Sequence, residues 1–489
     1  MANFEIGTPD PISFPKTRVD RGESAPCSCE GQECQGMSCR WPTVDKNKGQ
    51  NKLVLSNCRG ERSFLPREPG ETVLTYTEPL AGIDVQTERE RVTNSTNLQS
   101  PPTSPKVGNA GAKFDPQGFF CMWHGSSFGN WVKLLASRPP LHWSRLHKIL
   151  SVTALSVLNS GSNLCESAIY GRKIARQTID HPPVFILGHW RSGTTLLHNL
   201  MTLDPQFTFP NLYEVLFPAN FLLTERVVTS LTSRLIPKTR PMDNVEAGFH
   251  MPQEDEVALV LLSGLSPYLM LAHPNNPAKY ERFFELNDLP KGELDRWKER
   301  FLYFMKKLTI KHNKPIVFKS PTHTFRIPVL LEMFPDAKFV YIYRDPYAVY
   351  NSSMHLRRTL FAENGLSKIK MDEGMQEDAL QLYTHCMDAY ERGRNLIPAG
   401  NLHEMRFEDL EVDPLGEMRR VYQGLSLDGW SNLEPAIQKQ LPELTRYRKN
   451  SFNMDVNLMR KVYRRWKASF ERYGYSSRLP EEETATVEA

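Results

Sequence analysis

Val184-Phe-Ile-Leu-Gly-His-Trp-Arg-Ser-Gly-Thr-Thr195 is the stretch on which the reading of the chain turns. Val184 to Leu187 is a short apolar run of the kind buried on both faces as a strand. Gly188 breaks it, and from Thr194 the apolar residues Leu196, Leu197, Leu200 and Met201 fall along one side of a helix. Asp204-Pro205 stops that helix, because proline cannot continue it and restricts the residue before it. A buried strand, a tight turn rich in glycine and hydroxyl groups, and a helix N-terminus make an anion site. The turn's N–H groups and the positive end of the helix dipole face the same spot. Phosphate or sulfate is the expected guest.

The pattern recurs downstream. Ile316-Val-Phe318 reads as a second buried strand, with Lys319-Ser320-Pro321-Thr322-His323 past its end. A helix from about Arg326 to Phe334 and a strand from Lys338 to Tyr343 complete a βαβ unit, whose strands should be parallel. Arg344-Asp345-Pro346 follows that strand, and Leu402 to Phe407 reads as another. The anion loop, Lys319 and Arg344 therefore all follow the C-terminal ends of strands. Open α/β sheets bind ligands along that edge, where the strand order reverses. The predicted fold is α/β: a P-loop-like open parallel sheet flanked by helices, preceded by a disordered N-terminal extension.

Gly188 and Gly193 have the spacing of a Walker loop, but Thr194 stands where its lysine belongs. That removes the partner of the β/γ-phosphates, and no apolar strand ends in a clear magnesium-binding aspartate. Nucleotide hydrolysis and kinase chemistry are disfavoured. Arg191 is left as the loop's own cation for a shorter anion.

At 489 residues the chain could hold two or three domains, or one large α/β domain with extensions. A formal net charge of +4 is too small to argue for nucleic acid or an anionic membrane, so anion recognition must be local. Residues 1–113 alternate Pro, Gly, Ser, Thr and charges without periodicity, and such a composition cannot offset its ordering entropy. Within this extension Cys27, Cys29, Cys34 and Cys39 lack paired Cys-x-x-Cys knuckles, so they read as a flexible tail and no metal is expected. Met1-Ala-Asn-Phe-Glu lacks the basic and apolar regions of a secretory signal. No run approaches the roughly 18 unbroken apolar residues of a spanning helix. A cytoplasmic protein is expected. Residues 114–181 form a helical collar, 182–478 the main domain, and 479–489 a disordered acidic tail.

In the collar, Trp143, His147, Leu150 and Ala154 recur at helical spacing, as do Leu155, Leu158 and Ile169. The favoured reading packs this face on the next domain. The alternative makes 143–170 a peripheral membrane contact or a lid over a greasy substrate. Further on, Glu214 is the sole charge between Phe207 and Leu223. Such a carboxylate has a raised pKa, a functional partner, or a side chain turned to solvent. Pro252-Gln-Glu-Asp-Glu256 reads as a helix start, with proline first and acids complementing the dipole, though Glu254 could also supply a base.

Arg191-Ser-Gly-Thr-Thr195 resembles the Pro-Lys/Arg-Ser-Gly-Thr-Thr loop of sulfotransferases, which holds the 5′-phosphosulfate of 3′-phosphoadenosine 5′-phosphosulfate (PAPS). Arg344, with Ser352 further on, resembles the family's pair for the 3′-phosphate. Arg406-Phe-Glu-Asp-Leu410 resembles its Arg-Tyr/Phe-Glu-Asp-Leu segment. The full loop, with Pro-Gln-Glu-Asp-Glu, Lys-Ser-Pro-Thr-His and Arg-Asp-Pro-Tyr-Ala-Val, is similar to a bacterial group of the family. Trp190 for the loop's proline and Arg191 for a common lysine are departures.

The resemblance implies in-line transfer of a sulfuryl group from PAPS to a hydroxyl or amine, without metal. It assigns Arg191, Ser192, Gly193, Thr194, Thr195, Arg344 and Ser352 to the donor. Lys319 joins Arg191 in neutralising the sulfuryl oxygens and the departing phosphate. For the base it offers Glu214, about where tyrosyl-protein sulfotransferases carry a catalytic glutamate, then His323, in the segment where cytosolic enzymes carry a histidine, then Glu254. Tyr213, Phe217, Phe221 and Leu222 either hint at a greasy or aromatic acceptor or belong equally to the core; the acceptor class stays open among small molecules, lipid-like compounds and glycans. A P-loop kinase or other phosphotransferase, and a non-catalytic PAP-binding protein of the same fold, are the alternatives.

Overall fold

The apolar runs at 184, 316, 338 and 402 become the four strands of one parallel sheet. They are β1 (Val184–Leu187), β2 (Val317–Lys319), β3 (Lys338–Tyr343) and β4 (Leu402–Arg406), in the order β2-β1-β3-β4. The structure, a computed structural model, describes residues 120–137, 141–232, 248–368, 372–446 and 454–480. The Cys27–Cys39 group and the acidic tail lie outside them.

The helices of the first half are α1 (Phe128–Ala136), α2 (Leu146–Arg176), α3 (Thr194–Met201), α4 (Leu212–Leu216), α5 (Phe221–Thr232), α6 (Glu256–Ser263) and α7 (Lys291–His312). Those of the second half are α8 (Ile327–Met333), α9 (Pro346–Asn364), α10 (Glu373–Arg394), α11 (Phe407–Val412), α12 (Pro414–Gly424), α13 (Trp430–Arg446) and α14 (Val456–Tyr473).

The strands lack polar alternation because both faces are covered. Phe185, Leu187, Phe318, Phe339 and Tyr341 join a core built with α1, α6, α7 and α8. Val184, Ile186, Val317, Val340 and Ile342 face a second core with α3, α12 and α13. A third cluster joins α9, α10 and α14 around Tyr383 and Trp466, whose rings stack at 3.8 Å. Cys121, Trp123, Trp131 and Val152, from the segment before β1, lie in the same core as Phe185. From β1 the chain crosses to β2 on one side, and β3 leads to β4 on the other. The order therefore reverses at β1/β3, the kind of switch point beyond whose strand ends open α/β sheets bind ligands.

β2 starts one residue later than the apolar pattern places it. Ile316 instead makes a parallel bridge with Thr208, and Lys319 becomes the last strand residue, paired in register with Ile186 of β1. Pro252 does not open α6: it bridges to Asn211, and the helix starts at Glu256 behind Asp255. The three acids consequently do more than complement a dipole. Each reaches a different residue of the segment leaving β2.

Glu256 forms a fully buried, two-pronged pair with Arg326, at 2.5 and 3.1 Å, and also accepts from the Thr322 hydroxyl at 2.7 Å. Arg326 spends its other donors on the carbonyls of Phe283 and Phe284. Removing one member strands the other charge in the core, which costs about 3–5 kcal/mol. Glu256→Ala should lower the urea midpoint accordingly; an unchanged midpoint would show that the pair contributes little.

α2 packs on the main domain as a collar, with Val152 in the same core as Phe185, but the face traced in the sequence points outward. Its buried residues include Lys148, Ser156, Asn159 and Glu166, while Leu146, Leu150, Val157, Leu158 and Leu164 are exposed, as is Trp143 just before it. The inward polar groups are satisfied. Lys148 donates to the Glu363 carbonyl, Asn159 to the carbonyls of His124 and Ser126, and Glu166 pairs with Lys307.

Candidate active site

The loop after β1 is shaped by three residues at positive φ and one close approach. Gly188 has φ 143°, Arg191 φ 71° and Gly193 φ 108°. A Cβ on Gly193 would stand 2.1 Å from the Phe407 ring, so only glycine lets that ring close on the loop. Gly193 occupies the N-cap of α3, and no side chain caps the helix. First-turn N–H groups, which lack partners inside any helix, are thus left to whatever the loop holds. The Ser192 hydroxyl is buried and has no hydrogen-bond partner within the protein, as expected of a group placed to bind a guest.

Arg344 and Ser352 meet this loop directly. Nη1 of Arg344 donates to the Arg191 carbonyl at 3.2 Å, and Nε of Arg191 donates to Ser352 Oγ at 2.7 Å. The Arg344 guanidinium lies 4.1 Å from the centre of the Phe407 ring. One ring therefore backs both Gly193 and Arg344. Next to it, Glu408 accepts from the N–H of Asp345, which ties the β4 exit to the β3 exit. Burial holds Arg344 below the usual arginine range, against the opposing charges of Glu408, Glu411 and Asp345, and Arg191 adds to the depression.

Lys319, at the end of β2, is buried and donates to Glu254 Oε1 at 2.8 Å. Tyr268 donates its hydroxyl to the other Glu254 oxygen, and Trp190 Nε1 donates to the Tyr268 oxygen at 3.1 Å. Glu254 is thereby linked to the anion loop through two side chains. It keeps 20% of its side-chain surface exposed, whereas Asp255 and Glu256 keep none.

The other two base candidates sit in closed networks. Glu214 is buried in a capping box with Asn211 and pairs with Lys311 at 2.6 Å; Lys311 also holds Glu225. Burial raises the Glu214 carboxyl, with Lys311 opposing, so the shift suggested by its apolar surroundings is present, but its partners lie outside the loop network. His323 is fully buried, bonded to Asp255 at 2.7 Å and packed against Phe185 and Phe301. Burial alone would raise Asp255, yet His323 and Ser320 outweigh it and hold the carboxyl low.

Beside the Glu254–Tyr268–Trp190 chain lies an apolar pocket walled by Trp190, Met270, Leu356, Leu360, Phe361 and Leu382. Three polar atoms on its wall, His189 Nε2, Ser353 Oγ and Arg357 Nη1, have no hydrogen-bond partner within the protein. Burial pushes His189 down to about 3, and its Nδ1 lies 2.7 Å from the Trp190 carbonyl. The neutral ring thus donates from Nδ1 and leaves Nε2 as an acceptor. Among the described residues, no group of three or more His, Cys, Asp or Glu is arranged to hold a metal ion.

The Sulfotransferase family profile matches residues 182–432, which span all four strands and the loop. Omega-hydroxy-beta-dihydromenaquinone-9 sulfotransferase Stf3 of Mycobacterium bovis is 39% identical over 361 residues, covering 74% of this chain and 92% of that protein. The Stf3 of Mycobacterium tuberculosis matches to the same extent. The chain belongs to the sulfotransferase family. Its fold agrees with the crystal structure of sulfotransferase STF9 from Mycobacterium avium, at a TM-score of 0.57 and 17% identity, over 72% of this chain and 93% of that one.

As a sulfotransferase, the protein must neutralise charge on a sulfuryl group in flight, anchor its donor, and take a proton from its acceptor. Arg191 and the loop amides follow β1, and Lys319 at the end of β2 is joined to Trp190 of the same loop through Glu254 and Tyr268. The Phe407 and Tyr268 contributions are not derivable from spacing. Phe407 stands inside a recognised segment without a stated task, and Tyr268 carries no motif at all.

Proposed function

We propose that this sulfotransferase moves the sulfuryl group of PAPS to a hydroxyl on a lipid-like small molecule, with Glu254 as the base. The observation that carries the reading is one connected network. Arg344 and Ser352 are bonded to Arg191 of the loop, and Trp190 of the same loop leads through Tyr268 to Glu254 and Lys319. A doubly anionic nucleotide fits it, with the 3′-phosphate at Arg344 and Ser352 and the phosphosulfate on residues 191–195. The acceptor oxygen forms its bond to sulfur as the bond from sulfur to the phosphate oxygen breaks. Its proton passes to Glu254, and PAP leaves with the electron pair. Lys319 and Arg191 offset charge on the sulfuryl oxygens and on the departing phosphate. These fixed cations and the backbone donors perform the charge stabilisation with the chain's own groups.

The acceptor class rests on the pocket and on the relatives. Stf3 is named for a hydroxylated menaquinone, and here the pocket that Tyr268 and Trp190 share with the Glu254 network is mainly aliphatic and aromatic, with His189, Ser353 and Arg357 as its polar members. An alcohol on an apolar body suits such a wall, with His189 Nε2 or Ser353 Oγ orienting the hydroxyl. The proposed setting is cytoplasmic and peripheral to a membrane.

A thermal-shift experiment tests the donor. A ligand that binds only the folded state at 100 times its dissociation constant adds about 2.7 kcal/mol. PAP should raise Tm by a few degrees with EDTA present, while ATP with magnesium should not. Stabilisation by ATP–magnesium alone would favour a kinase and sink the PAPS reading.

A further inference from the structure

We infer that α2, with the Trp143 turn before it, is a docking surface for an anionic phospholipid bilayer. Soluble helices bury their apolar stripe and expose their polar one. Here a largely apolar stripe faces outward. Leu146, Leu150, Ala154, Val157, Gly161, Leu164 and Ala168 follow one another at three- and four-residue steps, and all are exposed, as is Leu158 beside Val157. Leu150, Leu158 and Leu164 keep 69%, 66% and 73% of their surface, and Trp143 keeps 78%. The opposite side carries Lys148, Ser156, Asn159 and Glu166, each buried, alongside Val152 and Ile174. Leucines turned outward while four polar side chains are buried is the distribution of a helix whose outer face lies against an apolar medium.

Charge selects the occupant. Between Phe120 and Ile179 the sequence contains one acid, Glu166, and that acid is buried against Lys307. Lys133, Arg172, Lys173 and Arg176 are exposed in the same region. An apolar helix face, an interfacial tryptophan and exposed bases without exposed acids match the headgroup zone of an anionic bilayer. No helix among the described residues is long and apolar enough to cross a membrane, so α2 lies on the surface.

The surface is also continuous with the pocket. The N–H of His142 donates to the carbonyl of Leu366 at 3.0 Å, and Lys148 donates to the carbonyl of Glu363. The end of α9 so anchored carries Leu360 and Phe361 of the pocket wall. This role rests on the lipid-acceptor reading: a substrate resident in the bilayer would reach the wall from the Trp143 end without crossing water.

The test is sedimentation of the full chain with vesicles of phosphatidylcholine alone or mixed with phosphatidylglycerol. The wild type should bind the mixed vesicles, less so in high salt. Leu150→Glu/Leu158→Glu and, separately, Trp143→Ala should reduce binding, the double variant by at least about tenfold. All these side chains are exposed, so stabilisation by PAP should persist. Equal binding of the double variant, or no binding by the wild type, would overturn the inference. So would a wild-type dimer that the double variant dissolves, since the face would then join two copies of the chain. If PAP stabilises none of the proteins, the donor reading fails while the vesicle result stands.

Discussion

Arg344→Ala should abolish tight donor binding while leaving the fold intact. The side chain is enclosed, with one bond to the Arg191 carbonyl and the face of Phe407 against it. Losing one member of a buried, hydrogen-bonded charge pair costs about 3 kcal/mol or more, so PAP affinity should fall roughly 100-fold. Stability is expected to move the other way or not at all. Without an anion, Arg344 is a desolvated cation whose pKa burial depresses, with Arg191 adding to the shift and Glu408, Glu411 and Asp345 offsetting part of it. Calorimetry with PAP, paired with a melting curve of the free protein, separates the two effects. Unchanged affinity would remove Arg344 from the donor site. A collapse of the melting temperature would recast it as a structural residue.

Glu254→Gln should reduce single-turnover sulfation by about 10²–10⁴-fold, the usual contribution of a general base, with PAP affinity nearly unchanged. The amide is close in shape to the carboxylate and can still accept from Lys319. Tyr268 must then rotate its hydroxyl, a local adjustment. Glu214→Gln and His323→Gln provide the contrast. Their partners are Lys311 and Asp255, within networks that hold the fold, so these variants should lose stability ahead of rate. A near-normal rate for Glu254→Gln would end its assignment as the base.

What could be read from the chain, and what could not, follows from how local each signal is. The strands were legible because a sheet covered on both faces needs uninterrupted apolar runs, and the loop because glycine and hydroxyl residues must crowd a tight anion turn. Glu214 drew attention as an acid among aromatics, but Lys311, distant in sequence, satisfies it, and no periodicity announces such a partner. Glu254 was masked by its neighbours, since three successive acids after a proline look like an ordinary helix start. Only the structure shows Pro252 bridged to Asn211 and the acids spread over three different contacts. α2 makes the limit plainest. The recurrence of Trp143, Leu150 and Leu158 gives the helical period, but a period has no sign and does not say which side faces the core.

The triplet Glu254-Asp255-Glu256 has a consequence for how new specificities could arise. Two of its members are locked to His323 and Arg326 in the interior, and the third, covalently next to them, presents its carboxylate to Lys319. On the proposed assignment, the reacting pair therefore inherits its position from the core. Leu356, Leu360 and Leu382, by contrast, come from α9 and α10 and take no part in that lock. Substitutions there can reshape what is accepted without moving the groups that react, so acceptor choice and chemistry can drift independently in this scaffold.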